Sequence, residues 1–297
     1  MELTYTHKNP YTDVCYNDTD GIKRAGTLKE CEGVPFLVFP EFEKLPYIKH
    51  GFSTREGGVS QGYFSSMNLG FGRGDDQECV MENYRRFCAA VGIQPERIVF
   101  SDQVHEDTVC KVGQSETAGA SLEKKLEKVD GIVTDEPGIA LINSYADCVP
   151  LLFVDTKHRV VAGSHSGWRG TVKRIGQKTL EYMRDVYGTH PGDVLAVIGP
   201  SICVSCYEVS EDVAEEFRNA FPKDQWETFL FAKPESQGKY QLDLWRANQC
   251  ILLDAGIKKG NISVACICTC CNSKHLYSHR ASKGKRGNLV SMISLCQ

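Results

Sequence analysis

Residues 138 to 170 decide the fold, and they read Gly138-Ile-Ala-Leu-Ile-Asn-Ser-Tyr-Ala-Asp-Cys148-Val-Pro-Leu-Leu-Phe-Val-Asp155-Thr-Lys-His-Arg-Val-Val-Ala-Gly-Ser-His165-Ser-Gly-Trp-Arg-Gly170. Apolar runs at 138–144, 149–155 and 160–164 each have the length of a buried strand. The polar residues between them fall at the ends of these runs. The stretch therefore predicts three neighbouring strands whose connecting loops carry Cys148 and His165.

Strands and helices alternate on both sides of this stretch. Val80, Tyr84, Phe87, Cys88 and Val91 recur at helical spacing, and Gly92 follows as a stop signal. A second helix is predicted after His165, with Val172, Ile175, Met183 and Val186 on one face. Further strands are predicted at 97–100, 194–198, 263–267 and 289–295, and Ser210 and Asp243 are predicted to cap two more helices. Such mixing of elements indicates an α/β fold.

The bulk composition is that of an ordinary globular protein. The chain has 297 residues, 41% of them hydrophobic and 24% charged, and a net charge of −4. This charge does not favour binding to nucleic acid or to an anionic membrane surface, so a small-molecule ligand is expected. We find no repeat or long linker, and the polar segment 113–128 is predicted to be a surface excursion from a single domain.

The N-terminus and the cysteines bear on the compartment. Residues 1–10 lack the apolar core of a signal peptide, and no apolar run reaches the ~20 residues of a spanning helix. Fourteen cysteines in a chain without an export signal are expected to be reduced thiols. We therefore expect a cytoplasmic protein.

Three side chains form a candidate metal site. The predicted strand at 97–100 leads into Ser-Asp-Gln-Val-His105, and the loops described above carry Cys148 and His165. Two imidazoles and a thiolate suit zinc, and three protein ligands leave a fourth position for water or substrate. The spacing matches no zinc signature, so ordinary packed residues are an alternative. In a metal-free alternative, Cys148 is a nucleophile, His165 its base and Asp147 the group that orients the imidazole.

Two further features have both a functional and a structural interpretation. Glycine-rich loops place Arg55 and Arg169 beside backbone amides that could hold an anion such as phosphate, or they are turns with exposed arginines. Cys203 and Cys206, taken with Cys268, Cys270 and Cys271, could form a structural zinc site. Core packing is favoured for these cysteines because they lie in apolar runs.

The motifs resemble those of one family in order along the chain. They comprise Arg55-Glu-Gly-Gly-Val-Ser60, Asn68-Leu-Gly70, Gln103-Val-His105, Asp130-Gly131, Ala146-Asp-Cys-Val-Pro150, His165-Ser-Gly-Trp-Arg-Gly170, Ile198-Gly-Pro200, Cys268-Thr269 and Tyr277-Ser-His-Arg280. The chain resembles the laccase-domain (YfiH-like) family, also described as multicopper polyphenol oxidase-type proteins and now regarded as purine nucleoside phosphorylases. The resemblance covers residues 46–297 and leaves 1–45 as an N-terminal extension.

The resemblance implies a layered sandwich of mixed β-sheets flanked by helices. It also implies that His105, Cys148 and His165 hold a metal, zinc or copper. The implied reaction is phosphorolysis of adenosine and inosine to the free base and ribose 1-phosphate. Relatives are further described as cleaving S-methyl-5′-thioadenosine and deaminating adenosine. Within the matching motifs, Arg55, Asn68, Asp147, Arg169 and Arg280 are the candidates for binding nucleoside or phosphate.

Two positions depart from the family pattern. Relatives usually carry Gly-Arg where this chain has Gly287-Asn288, with Arg286 on the other side of the glycine. Only one arginine, Arg280, precedes Ala281 where relatives commonly have a pair. Both changes bear on substrate preference and neither touches the metal ligands.

Other functions remain open from the sequence. A multicopper phenol oxidase needs many histidine ligands, whereas this chain has eight histidines and no His-x-His pair. A metal-free cysteine hydrolase uses the same Cys148 and His165. A non-enzymatic, redox-responsive role for the many thiols is the third alternative.

Overall fold

The computed structural model describes residues 1–12, 14–17, 24–119 and 121–296. Within these ranges the strands form two six-stranded sheets and one three-stranded sheet. The strands are β1 Thr27–Cys31, β2 Val34–Val38, β3 Ile48–Ser53, β4 Ile98–Phe100, β5 Val109–Lys111, β6 Gly131–Thr134, β7 Ala140–Tyr145, β8 Val149–Asp155, β9 Val160–Ser166, β10 Val194–Ile198, β11 Glu208–Ser210, β12 Leu230–Ala232, β13 Lys239–Leu242, β14 Ile262–Val264 and β15 Leu289–Leu295.

Each large sheet is mixed. The first has the strand order β1-β2-β3-β15-β7-β4, in which β4 and β7 are parallel and the other pairs antiparallel. The second has the order β14-β10-β8-β9-β6-β5, with parallel pairs at its two edges. The small sheet, β11-β13-β12, is antiparallel.

Eight helices lie around the sheets in the described ranges. They are α1 Pro40–Glu43, α2 Gln77–Val91, α3 Trp168–Val172, α4 Ile175–Tyr187, α5 Glu211–Ala220, α6 Lys223–Trp226, α7 Leu244–Asp254 and α8 His279–Ser282. The predicted stop at Gly92 is confirmed, because this residue adopts the left-handed φ of 78° that ends α2. Asp243 caps α7 as predicted, accepting a hydrogen bond from the backbone N–H of Arg246.

The core shows why these strands form layers. Along β8, Leu151 and Phe153 pack against α4 and α7, while Leu152 and Val154 pack against the first sheet. Successive side chains of a strand point to opposite faces, so a continuous apolar run is buried on both sides. Helix α2 covers the other face of the first sheet. The predicted layered sandwich of mixed sheets flanked by helices is therefore confirmed.

Part of the N-terminal extension contributes to the first sheet. Strands β1 and β2 both precede residue 46, and β2 pairs with β3. Nearer the N-terminus, the amide of Asn9 and the hydroxyl of Tyr16 both donate to Asp243, at 2.6 and 2.7 Å. The extension is thus tied to both large layers, and the single-domain assignment stays a prediction.

Several local expectations need correction. The predicted helix after His165 is two helices, since the chain breaks at Arg174, whose φ is +59°. Val186 was expected on the buried face but is 44% exposed in the last turn of α4. Segment 113–128 is not wholly superficial, because Thr117, Ala118 and Leu122 are buried. No helix in the described part of the chain combines the length and apolarity needed to cross a membrane.

Candidate metal centre

The topology brings the three predicted ligands together. Cys148 lies in the connection between β7 and β8, and His165 lies in β9 opposite Pro150 of β8. His105 follows β4, the parallel neighbour of β7. The side-chain amide of Gln103 pairs with the backbone of Ser144 through two hydrogen bonds of 2.8 Å, which fixes this loop against β7. The ligand atoms of His105, Cys148 and His165 all lie within 4.8 Å of one another.

The cluster is closed on one side and open on the other. His165 is 3% exposed, Cys148 is partly buried and His105 is exposed. The two imidazole rings stand nearly perpendicular, at 83°, with their centroids 4.8 Å apart. A Cβ on Gly167 would lie 3.2 Å from the Cys148 sulfur and 3.1 Å from the His105 ring, so a side chain at this position would crowd both groups. The open side leaves room for a further ligand.

A buried carboxylate orients both histidines. Asp130 is fully buried, and its Oδ1 lies 2.8 Å from Nδ1 of His165. The same carboxylate accepts backbone N–H groups from Val104, His105 and Glu106 at 3.0 to 3.1 Å. These bonds hold His105 at its left-handed φ of 64°. A carboxylate behind a histidine is the usual arrangement for orienting a metal ligand.

The electrostatics of the cluster favour ionised groups. Burial alone would raise the pKa of Cys148, but the charge of His165 and hydrogen bonds from both histidines lower it to about 6. Burial would likewise lower the pKa of His165, whereas the charge of Cys148 and the bond to Asp130 raise it to about 9. The charge of His165 and the hydrogen bonds from both histidines thus favour the thiolate of Cys148, which is the form that binds metals or acts as a nucleophile.

Asp147 does not orient the imidazole, so that expectation is wrong. Its Oδ1 accepts the hydroxyl of Thr269 at 2.6 Å, and its Oδ2 accepts the backbone N–H of Arg280 at 2.7 Å. With a φ of 87°, Asp147 has a backbone conformation that few non-glycine residues adopt. Its carboxylate thus stabilises the turn that presents Cys148, and Asp130 takes the role beside His165.

The cluster opens into a cleft of about 520 Å³. Aromatic side chains and cationic side chains share its lining. The aromatic residues are Tyr63, Phe71, Tyr84, Phe100 and Tyr145, and the cationic residues are Arg73, Lys124, Lys285 and Arg286. A cleft that combines apolar rings with a few convergent polar groups is typical of a small-molecule site.

Arg286 has the features of an anion-binding group. Its Nη1 donates to the carbonyl of Gly287 at 3.2 Å and to the side chain of Asn288. Its Nε is buried without a hydrogen-bond partner in the described part of the chain. Burial, and then the charge of Arg73, lower the pKa of Arg286 to about 10. Two cations that raise each other's cost of ionisation would be stabilised by an anion between them.

The arginines predicted from sequence do not line the cleft, although Arg55 lines a smaller pocket that shares Lys285 and Arg286 with it. The guanidinium of Arg55 donates to the carbonyls of Ser65 and Ser273, and that of Arg280 to the carbonyls of Cys206 and Glu208. Arg169 lies over the ring of Trp168, 4.3 Å from its centroid. None of the three lines the cleft beside the cluster.

Asn68 is also occupied by structural bonds. Its side chain is fully buried, donates to Asp75 at 2.8 Å and accepts the backbone N–H groups of Gly70 and Asn288. It therefore joins the loop at 68–70 to Asn288, and both segments line the cleft. The amide of Asn288 donates to the Ser144 hydroxyl at 2.6 Å. Asn68 shapes the wall of the cleft, and Asn288 is part of its surface.

Comparisons with known proteins identify the relatives of this chain. Residues 49–296 match the family described as "Multi-copper polyphenol oxidoreductase laccase". The chain belongs to this family. It is 38% identical over 247 residues to purine nucleoside phosphorylase YlmD of Bacillus subtilis, covering 82% of this chain and 87% of that protein. It is 33% identical to adenosine deaminase RL5 of an unknown prokaryotic organism, over 81% of this chain and 93% of the relative.

A solved member of the family has the same fold. The crystal structure of YlmD from Geobacillus stearothermophilus superimposes with a TM-score of 0.84 at 33% identity, covering 91% of this chain and 98% of that one. The predicted family and the prediction that the chain is an enzyme are thus confirmed. The physiological metal and the roles of the site residues stay predictions.

Sequence reasoning missed three features of the site. The Asp130-Gly131 motif gave no role for Asp130, although a carboxylate among candidate ligands was a usable signal. Arg73 lies in the stretch Gly70-Phe-Gly-Arg-Gly74, whose residues alone do not indicate a ligand. Arg286 was noted only as a substitute for a missing arginine, and its place in the cleft depends on contacts remote in sequence.

Proposed function

We propose that the chain is a zinc-dependent purine nucleoside phosphorylase that cleaves inosine and adenosine with phosphate. One observation carries the proposal: the cluster of His105, Cys148 and His165 opens into a cleft that Arg286 also lines, and among the described residues the Nε of Arg286 has no hydrogen-bond partner. A metal site and an anion site in one cleft suit a reaction between a nucleoside and phosphate. The name of the Bacillus subtilis relative supports this assignment.

The donor set fits zinc. Two imidazoles and a thiolate are zinc ligands, and the exposed side of His105 leaves a position open. Zinc bound here would act as a Lewis acid and would lower the pKa of a bound water to about 7. Asp130 holds the Nδ1 proton of His165, so that Nε2 is left to face the metal. Copper can use the same ligands, and metal analysis distinguishes the two.

Phosphate is assigned to Arg286 and Arg73. Arg286 lines the cleft, its Nε has no hydrogen-bond partner in the part of the chain that the structure describes, and its planar guanidinium matches two phosphate oxygens. The guanidinium groups of Arg55 and Arg280 already donate to backbone carbonyls, which makes them poorer candidates. Lys285 adds a third positive charge at the same wall of the cleft.

The purine nucleoside is assigned to the remaining lining. Phe71 and Tyr145 offer ring faces or edges to a base, and Gln103 and Asn288 offer amides. A phosphate oxygen then forms a bond to C1′ of the ribose while the C1′–N9 bond breaks. The base leaves with that electron pair and takes up a proton, and ribose 1-phosphate is the second product. S-methyl-5′-thioadenosine carries the same purine and glycosidic bond and is included in the proposal.

The direct test is release of hypoxanthine from inosine. The purified protein with zinc is expected to release hypoxanthine only when phosphate is present, and to form ribose 1-phosphate in equal amount. Cys148→Ala is expected to lose this activity together with the metal of the cleft. Absence of release by folded, zinc-loaded protein would refute the proposal.

Deamination of adenosine is the second candidate. A water activated between three protein ligands is the arrangement that zinc deaminases use on other folds, and one relative is named an adenosine deaminase. Deamination consumes water, releases ammonia from C6 of the purine and converts adenosine to inosine without breaking the glycosidic bond. Its rate should not depend on phosphate, so a phosphate titration separates the two activities.

A metal-free cysteine hydrolase is the third candidate. The thiol of Cys148 lies near the imidazole of His165, which in turn bonds to the carboxylate of Asp130, as in a nucleophile, a base and an orienting group. It requires activity that survives chelation of metal. A phenol oxidase with several coppers is disfavoured because only two histidines enter any candidate metal cluster of the described residues. The cysteine content supports the cytoplasm as the compartment.

A further inference from the structure

Four cysteines converge at a second place in the structure, remote in sequence from one another. Cys203 and Cys206 belong to the segment that follows β10, and Cys268 and Cys271 belong to the segment that follows β14. Both pairs have the Cys-x-x-Cys spacing. The four sulfurs all lie within 4.8 Å of one another. Cys270 lies between the last two but is not part of this group.

Backbone pairing fixes the two segments side by side. Ser201 pairs in parallel with Cys268, its N–H donates to the carbonyl of Ile267 at 3.2 Å, and its carbonyl accepts the N–H of Thr269 at 3.1 Å. Cys268 therefore lies opposite Ser201, two residues before Cys203. Backbone pairing therefore brings the two segments together, and the four sulfurs meet between them.

The distances fit a metal better than a disulfide. Cys271 lies 3.5 Å from Cys206 and 4.0 Å from Cys203, measured between sulfurs. Sulfurs bound to zinc at about 2.3 Å in a tetrahedron are about 3.8 Å apart. A disulfide requires about 2.05 Å, and the fourteen cysteines are all free.

Hydrogen bonds to sulfur also suit thiolate ligands. The backbone N–H groups of Cys203 and Cys271 both donate to the sulfur of Cys268, at 3.3 and 3.4 Å. Such bonds to ligand sulfurs are a feature of tetrathiolate metal sites. Core packing accounts for Cys203 and Cys268, which are buried, but not for Cys271, which is exposed. The exposed sulfur provides a path for entry of an ion.

We propose that Cys203, Cys206, Cys268 and Cys271 form a structural Zn²⁺ site, separate from the cluster in the cleft. Four thiolates in a closed tetrahedral set are the arrangement of structural zinc, with no position left for substrate. The divalent ion offsets the mutual repulsion of the thiolates. Binding releases the thiol protons to solvent and involves no oxidation.

The site also supports the turn that carries Cys148. The carbonyl of Asp147 accepts the N–H of Ile202 at 3.0 Å, and its carboxylate accepts the hydroxyl of Thr269 at 2.6 Å. Each contact comes from one of the two cysteine-bearing segments. Zinc between the segments would therefore hold Asp147 in place, and Cys148 follows it directly.

Zinc content after purification and dialysis tests the proposal in a Cys148→Ala background, which removes a ligand of the cleft cluster. Cys148→Ala is expected to keep about one tightly bound zinc per chain. Adding Cys206→Ser and Cys271→Ser is expected to abolish it, whereas adding Cys270→Ser should leave it. Equal zinc in the two combined variants, or iron in place of zinc, would overturn the assignment.

Alkylation of the unmutated protein covers the case in which the serine variants do not fold. Cys271 is exposed but should react with iodoacetamide slowly until zinc is chelated, whereas the exposed Cys31 should react at once in both conditions. Mass spectrometry of the peptides reports each thiol. Equal labelling of Cys271 and Cys31 before chelation, or a disulfide within the group, would refute the site.

Discussion

The carboxylate of Asp130 lies 2.8 Å from the imidazole of His165, measured from Oδ1 to Nδ1, and both groups are buried. The same carboxylate receives the backbone N–H of His105. Asp130 thus fixes the ring of one proposed metal ligand and the backbone of another. It is a positioning residue for the whole cluster.

Asp130→Asn is expected to weaken metal binding in the cleft by about 10- to 100-fold, because the amide is uncharged and has one acceptor oxygen where the carboxylate uses two, one for the imidazole and one for backbone N–H groups. Competition with a chromophoric zinc chelator measures this change. Asp155→Asn is the matched control, since Asp155 is also fully buried and also bonded to a histidine, His158, away from the cleft. Equal zinc affinity in the two variants would contradict the role of Asp130.

Arg286→Gln is expected to reduce kcat/KM for phosphate by about 10- to 100-fold, through loss of charge-assisted hydrogen bonds worth about 1.5–3 kcal/mol. The effect should appear when phosphate is varied at saturating inosine. Arg169→Gln, at a position predicted from sequence but outside the lining of the cleft, should change this constant much less. The reverse order of effects would return the phosphate site to Arg169.

Gly167→Ala is expected to weaken metal binding by about 1–3 kcal/mol, because the added methyl group would crowd the Cys148 sulfur and the His105 ring. Gly260→Ala is the control, since nothing lies within 4 Å of a Cβ at that position. Zinc affinity and thermal stability should both be measured. A loss of stability in Gly167→Ala without a loss of zinc affinity would show that the ligands tolerate the methyl group.

His50 predicts a pH dependence of stability away from the cleft. Burial lowers the pKa of His50 to about 4, and its Nε2 accepts the N–H of Phe39 at 2.8 Å. The unfolded chain binds a proton below about pH 6.5, whereas the folded chain resists it. This contribution to stability is therefore present above pH 6.5 and is lost as pH falls towards 4.

Denaturant unfolding of the unmutated protein and of His50→Gln at several pH values measures this effect. The difference between their free energies of unfolding should change by about 3 kcal/mol between pH 7 and pH 4, because one pKa unit corresponds to about 1.4 kcal/mol. Parallel curves for the two proteins would show that His50 does not titrate differently on unfolding.

Much of the fold could be predicted from local sequence. The apolar runs at 149–155 and 289–295 coincide with β8 and β15, because their length and composition admit little besides buried strands. The break at Arg174 could not be predicted, since its left-handed φ is set by the junction of two helices. The pairing of β2 with β3 likewise depends on tertiary contacts. The sequence before residue 46 therefore did not indicate that this segment joins a sheet.

The site divides in the same way. Cys148 and His165 come from neighbouring strands, so their proximity follows from the order of the elements. The partner of Arg286 in the cleft, Arg73, is more than two hundred positions away in sequence. The Cys-x-x-Cys spacing of Cys268 and Cys271 is present in the sequence, but Cys270 lies between them and made the ligand set ambiguous. The structure shows that Cys270 is not one of the four grouped cysteines.

Hypoxanthine release during zinc reloading tests the central claim most directly. Chelated protein is titrated with Zn²⁺ in the presence of inosine and phosphate, beside Cys148→Ala treated in the same way. Activity is expected to be absent at the start, to rise to a plateau as the cleft cluster fills, and to stay absent in Cys148→Ala. Full phosphate-dependent release by the chelated protein, before any zinc is added, would contradict the account.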